Sequence, residues 1–205
     1  PGDVLYFYNG TYDGYGVMGP KSDERHTGTR KGEGADVVTF DLMGDAIRMS
    51  DPGNPASNAT GCVLDGFTII NSAVGVYVGM DGAPAANCII RNCVFSGMTA
   101  YVCHIASDNT TFENNVVSNA TGAYYVLNAE ANSCTYVNNI FINNVGAAIS
   151  LYHGGNSIGT KHNFISNAYA GIELYEAGSG NKIYLNNFVD NGVTATGTTA
   201  PAVTY

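Results

Sequence analysis

The sequence predicts an all-β fold, a parallel β-helix whose short strands coil into stacked rungs of about 24 residues. Three observations carry that prediction. A short motif recurs six times, turn residues separate the recurrences, and the composition is hostile to helix. Of 205 residues 26 are Gly and 23 are Asn, both poor helix formers.

The motif appears as LDGFTIIN, IRNCVFSG, FENNVVSN, YVNNIFIN, TKHNFISN and YLNNFVDN. Anchored on Phe67, Cys93, Asn115, Asn139, Asn163 and Asn187, it steps by 26, 22, 24, 24 and 24 residues. Two apolar columns follow the anchor, one through Val94, Val116 and Phe164, the next through Phe95, Val117 and Ile165. A bend between them would turn both inward. A second apolar stretch trails each of the first five motifs: Val74 to Val78, Tyr101 to Ile105, Ala123 to Leu127, Ala147 to Leu151 and Gly171 to Leu174. Turn residues such as Asp81-Gly82 and Gly178-Ser179-Gly180-Asn181 close each unit. Leucine-rich repeats need a Leu lattice that is missing, and propeller blades are about twice as long.

The asparagines stack in columns. Asn115, Asn139, Asn163 and Asn187 share the anchor position, and identical amides on rungs about 4.8 Å apart can bond one to the next. Sugar binding is the functional reading of so many Asn, and turn ladders are the structural one, which repeat folds favour.

The segments GEGADVVTFD (Gly32 to Asp41), LDGFTIINS (Leu64 to Ser72), GIELYEAGSGNKIYLNNFVDNG (Gly171 to Gly192) and PGDVLYFYNGTY (Pro1 to Tyr12) resemble right-handed parallel β-helix repeat proteins. The set most like them is the NosD-like and surface-antigen family abundant in envelopes of methanogenic archaea. The resemblance implies one β-helix domain over residues 1–193, irregular through 1–62 with a polar insertion at 18–32, regular through 63–193, then a Thr/Ala-rich tail at 194–205. It leaves activity open, because the scaffold carries lyases, hydrolases, epimerases and inert wall proteins. In such proteins the segment like Pro1-Gly2-Asp3 usually follows an amphipathic capping helix.

Charge narrows the partners. Lys+Arg total 8 against Asp+Glu 17, a formal net charge of −9, which excludes a basic nucleic-acid face. No apolar run exceeds five residues, so no membrane span is expected.

Four groups of residues could carry chemistry. Asp65, Arg91 and Glu113 occupy one column on successive rungs, with Val137, Lys161 and Leu185 continuing it. They form either an exposed ion ladder or a polysaccharide lyase or hydrolase site with Arg91 holding a uronate. Asp36, Asp41 and Asp45 could bind Ca²⁺, although an acidic turn explains them as well. The four His (His26, His104, His153, His162) are scattered, and no His/Met cluster for copper is visible. Cys62, Cys88 and Cys134 share a column. Cys62 and Cys88, one rung apart, stand at disulfide distance or are small buried thiols. An odd count of five cysteines leaves Cys103 or Cys134 as a candidate intermolecular partner. Asn9, Asn58, Asn109 and Asn119 head glycosylation sequons, which suits export.

The expected function is structural: a self-assembling component of an archaeal envelope, a sheath or surface layer, polymerising through open β-helix edges with envelope glycans as further partners. Its location would be extracellular and it would need no cofactor. A carbohydrate-active β-helix enzyme and a carbohydrate-binding adhesin are the alternatives.

Overall fold

The computed structural model describes residues 3–7, 10–13, 28–32, 38–41, 47–49, 60–79, 85–122, 125–152, 155, 157–175 and 178–197, with side chains described between 47 and 192. Among these residues there is no helix, and every strand pairing is parallel. The strands form three sheets. One has eight strands, from Asp3–Phe7 to Lys182–Tyr184; the second has eight, from Gly10–Asp13 to Asn187–Val189; the third has seven, from Ile47–Arg48 to Val193–Gly197. Each turn of the chain adds one strand to each sheet in the same order, which is a parallel β-helix, as the repeat predicts.

Two boundaries move. Gly28–Gly32, inside the expected polar insertion at 18–32, pairs with Asp3–Phe7 on one side and Val63–Asp65 on the other. Val193–Gly197 pairs with Ala170–Tyr175, so the solenoid continues into the expected tail at 194–205. Backbone pairing does not require apolar residues, which is why a pattern search passed over both.

The two adjacent apolar columns do not both point inward. Strands Val94–Ser96 and Val116–Ser118 alternate half-buried, buried, half-buried, so Phe95 and Val117 enter the core while Val94 and Val116 face out. The chain stays extended there and bends just before the anchor, at Asn92 and Asn114. That correction also resets the register. Phe141 pairs with Phe164 and Ile140 with Asn163, so the rung after Asn139 is one residue shorter than the motif suggested. The interior is consequently a file of rings, with Phe141, Phe164 and Phe188 stacked at centroid distances of 5.4 and 4.8 Å. Ring stacking adds roughly 0.5–1.5 kcal/mol per pair to the area buried.

Corners explain the asparagines. Asn71, Asn92, Asn114, Asn119, Asn138 and Asn143 all hold φ between 55° and 56°, a left-handed conformation that Asn adopts more readily than other side-chain-bearing residues. One corner demands glycine for a different reason: a Cβ on Gly192 would meet the carbonyl of Ala168 on the rung before.

Candidate functional site

The ion ladder assembles as its spacing predicts. Val63–Asp65, Ile89–Arg91 and Thr111–Glu113 are neighbours in the first sheet, with Asp65 opposite Arg91 and Arg91 opposite Glu113. Arg91 donates to Asp65 Oδ2 from Nε at 3.1 Å and from Nη2 at 3.0 Å, and Asn92 donates to Oδ1 at 2.7 Å. Glu113 stands 4.0 Å from the guanidinium. The ladder is less exposed than expected, since the Asp65 side chain is only 9% accessible. Both Asp65 oxygens are already engaged, so this carboxylate holds structure and is poorly placed to move a substrate proton. Thr160 and Tyr184 continue the column, whereas Lys161 and Leu185 fall on the left-handed corner beside it.

The Asn ladder is real but its membership changes. In the buried column Asn115 Oδ1 accepts from Cys93 N, Asn139 Oδ1 from Asn115 N, His162 Nδ1 from Asn139 N, and Asn186 Oδ1 from His162 N. His162 and Asn186 therefore replace Asn163 and Asn187, which meet each other outside, at 3.3 Å. Burial lowers the His162 pKa to about 4, and the accepting Nδ1 requires the neutral ring. A second ladder runs through Asn144, Asn167 and Asn191 at the next corner.

All five cysteines are thiols, and all are buried. Cys62 and Cys88 do adjoin across consecutive rungs. A hydrogen bond between them stands where a disulfide was expected, and it pushes the Cys88 thiol up, with burial adding to it. Burial likewise raises Cys93 to about 12 and Cys103 well above its usual range. Cys103 and Cys134 have no accessible surface, so neither can staple one folded subunit to another. Sealed inside the coil, they are the wrong residues for that task.

Asn109 and Asn119 are exposed corner residues, sterically open to a glycan. Asn9 and Asn58 lie outside the described residues, as do Asp36 and Asp45 of the proposed calcium set, His26 and His153. Asp41 is described only as a strand residue pairing with Ile70. No group of three or more His, Cys, Asp or Glu that could hold a metal occurs among the described residues.

Sequence reasoning missed the face that looks most like a site. The outward column of the third sheet reads Arg48, Tyr77, His104, Asn128, Ser150, Glu173 on successive rungs. Four of these, on four consecutive rungs, hold a buried polar atom without a hydrogen-bond partner: His104 Nε2, Asn128 Oδ1, Ser150 Oγ and Glu173 Oε2. Ser150 has no accessible surface and Asn128 only 4%. Glu130 borders the row, accepting from Asn128 Nδ2 at 2.9 Å and lying 3.4 Å from His104 Nε2. That longer contact is an ion-pair distance without hydrogen-bond alignment.

Aromatic side chains surround this row. Arg48 sits 4.8 Å over the Tyr77 ring, and Tyr101 and Tyr77 flank His104 at 5.6 and 5.8 Å. Tyr152 and Tyr175 stack nearly parallel at 5.0 Å. Burial raises the Tyr125 pKa, and the nearby Glu173, Tyr175, Tyr152 and Tyr101 raise it further. Burial also raises Glu173, with the adjacent Ser150 and Tyr169 hydroxyls pulling it part of the way back. The signal in the sequence was the recurrence, at steps of 24, 22 and 23 residues, of a polar residue between the apolar ones of each trailing stretch, at 104, 128, 150 and 173.

A family model described as "Periplasmic copper-binding protein (NosD)" matches residues 20–205. No curated protein matches the chain in sequence. Among solved structures, the A-module of the Azotobacter vinelandii mannuronan C-5 epimerase AlgE6 is similar with a TM-score of 0.53 at 16% identity, covering 100% of this chain and 80% of that one. The A-module of AlgE4 from the same organism gives 0.47 at 11%, covering 99% and 91%. The PL6 family alginate lyase AlyGC gives 0.41 at 12%, covering 95% and 38%. At these identities the likeness is one of fold. The copper in the family's description meets no gathered set of donors among the described residues, where no three His, Cys, Asp or Glu side chains converge and His162 spends Nδ1 within its ladder.

Proposed function

Starting from a chain that belongs to the NosD family, we propose that it is an extracytoplasmic β-helix protein that binds a carbohydrate chain along the outward face of its third sheet. One observation carries the reading: four consecutive rungs each hold a buried, unsatisfied polar atom in a single column beside tyrosines. Leaving a buried polar atom unpaired costs about 1–3 kcal/mol, so four in register describe a surface kept ready for a hydroxyl-rich partner. Tyrosine rings beside hydrogen-bonding groups are the usual means of gripping a sugar, apolar face and hydroxyl edge together. The family's periplasmic description supports placement outside the cytoplasm.

The self-assembling wall reading is the weaker. Its cysteine staples are buried, and the Asp65–Arg91–Glu113 ladder is internally satisfied and needs no neighbour. Calorimetric titration of the full chain against a panel of soluble oligosaccharides tests the proposal. Saturable binding weakened by Ser150→Ala is expected, and a panel without any binding overturns it. Release of reducing or unsaturated ends during the titration would make the protein an enzyme rather than a binding protein.

A further inference from the structure

The row's donors and acceptors specify more than a sugar. Asn128 Oδ1 is an acceptor, Glu173 ends in a carboxyl, and the Glu130 carboxylate borders the same row. The other end of the row differs, since His104 faces Glu130 there and the Arg48 guanidinium covers Tyr77. A ligand in contact with this row must chiefly donate hydrogen bonds and carry no negative charge. Successive rungs lie about 4.8 Å apart, close to the length of one pyranose residue in an extended β-linked chain. Resting on the carbohydrate reading above, we infer that this face takes a neutral β-linked hexose chain laid parallel to the solenoid axis, one sugar per rung from His104 to Glu173.

The inference separates this chain from the enzymes whose fold it shares. A polyuronate in the same register would bring one carboxylate per rung against Glu130 and Glu173, and like charges at such distances repel. Tyr77 and Tyr101 lie beside the row at His104, and because Ser150 has no accessible surface a ligand reaches it only as covering side chains turn, which surface side chains do readily.

Titrating the full chain with neutral β-linked oligohexoses of two to six units, and with oligouronates of equal length, provides the test. Affinity for the neutral series is expected to rise to four units and then level off. Ser150→Ala is expected to weaken it about tenfold, the loss of one good hydrogen bond. Glu173→Gln, nearly isosteric and uncharged, is expected to admit oligouronates that the natural chain refuses. Tighter binding of oligouronates than of neutral chains by the natural protein overturns this inference and leaves the carbohydrate reading standing. Failure of every glycan to bind removes both.

Discussion

The first and third sheets of this solenoid both display polar columns, and they use them in opposite ways. On the first sheet Asp65 receives two bonds from Arg91 and one from Asn92, so each charge is answered by a neighbouring side chain. On the third sheet His104, Asn128, Ser150 and Glu173 each keep a buried atom without a hydrogen bond of good geometry, with Glu130 near His104 and the Ser150 and Tyr169 hydroxyls near Glu173 as looser company. The same rung spacing brings together both sets. What differs is whether adjacent rungs carry complementary groups, and that choice separates a column that bonds within the coil from one that leaves buried polar atoms without well-formed bonds.

Acid should show the largest contrast. His162 is neutral in the fold at about 4 but titrates near 6.5 when unfolded, so the unfolded chain binds the extra proton first. Stability should fall as pH drops from about 6.5 to 4, by roughly 3 kcal/mol in total. His162→Asn, which restores the residue found at its neighbours Asn139 and Asn186, should flatten that slope in urea denaturation at pH 7 and pH 4.5. An unchanged slope would mean that the buried ladder tolerates a charged ring.

Next in size is Arg91→Ala. Removing the guanidinium leaves the buried Asp65 carboxylate with Asn92 alone, a loss of about 2 kcal/mol after allowing for the partial exposure of Arg91. A fully exposed pair would lose under about 1 kcal/mol, so the denaturation midpoint decides between the two. The third sheet should respond in the other direction. Ser150→Ala deletes a hydroxyl that lies near the Glu173 carboxyl but makes no hydrogen bond of good geometry, and stability should hold or rise by up to about 1 kcal/mol. A loss above that would place Ser150 among the satisfied groups and remove the contrast.

Glu173 gives the smallest and most telling signal. Its raised pKa means that the folded chain holds the proton more tightly than the unfolded one, so its contribution is present in acid and is lost as pH rises through the folded value. Glu173→Gln should remove this slope, whose sign is opposite to that of His162. Thiol chemistry offers an independent check on burial. None of the five cysteines should react with a thiol reagent in the native chain, and all should react in denaturant.

The fold could be read from the sequence because a solenoid writes its period into the chain. Phe95, Val117 and Phe141 recur where the core needs a ring or a branched chain, and the Asn corners mark each bend. The register was harder to read. Asn163 imitates Asn139 in residue type, but the structure places His162 in the buried column because Phe164 must stack on Phe141. Ring packing outweighs one shared amide, and a motif alignment weighs them equally. Asp65, Arg91 and Glu113 stood out because opposite charges in register are conspicuous. The row through His104, Asn128, Ser150 and Glu173 was illegible as a site, since four unlike polar residues form no motif and their lack of partners exists only in three dimensions.

The amide ladders have a consequence for how such a gene can change. Each corner side chain serves the backbone of the rung before it, so every bond in the series joins immediate neighbours only. A segment of 22 to 24 codons, the spacing these bonds span, is then a unit that can be duplicated or deleted in frame with both cut edges finding equivalent partners. Insertion of a single codon enjoys no such protection, because it would shift every outward residue of the following strand into the core. Descent in this lineage should therefore proceed by whole rungs, and a lengthened copy of the third sheet would lengthen the polar row it carries.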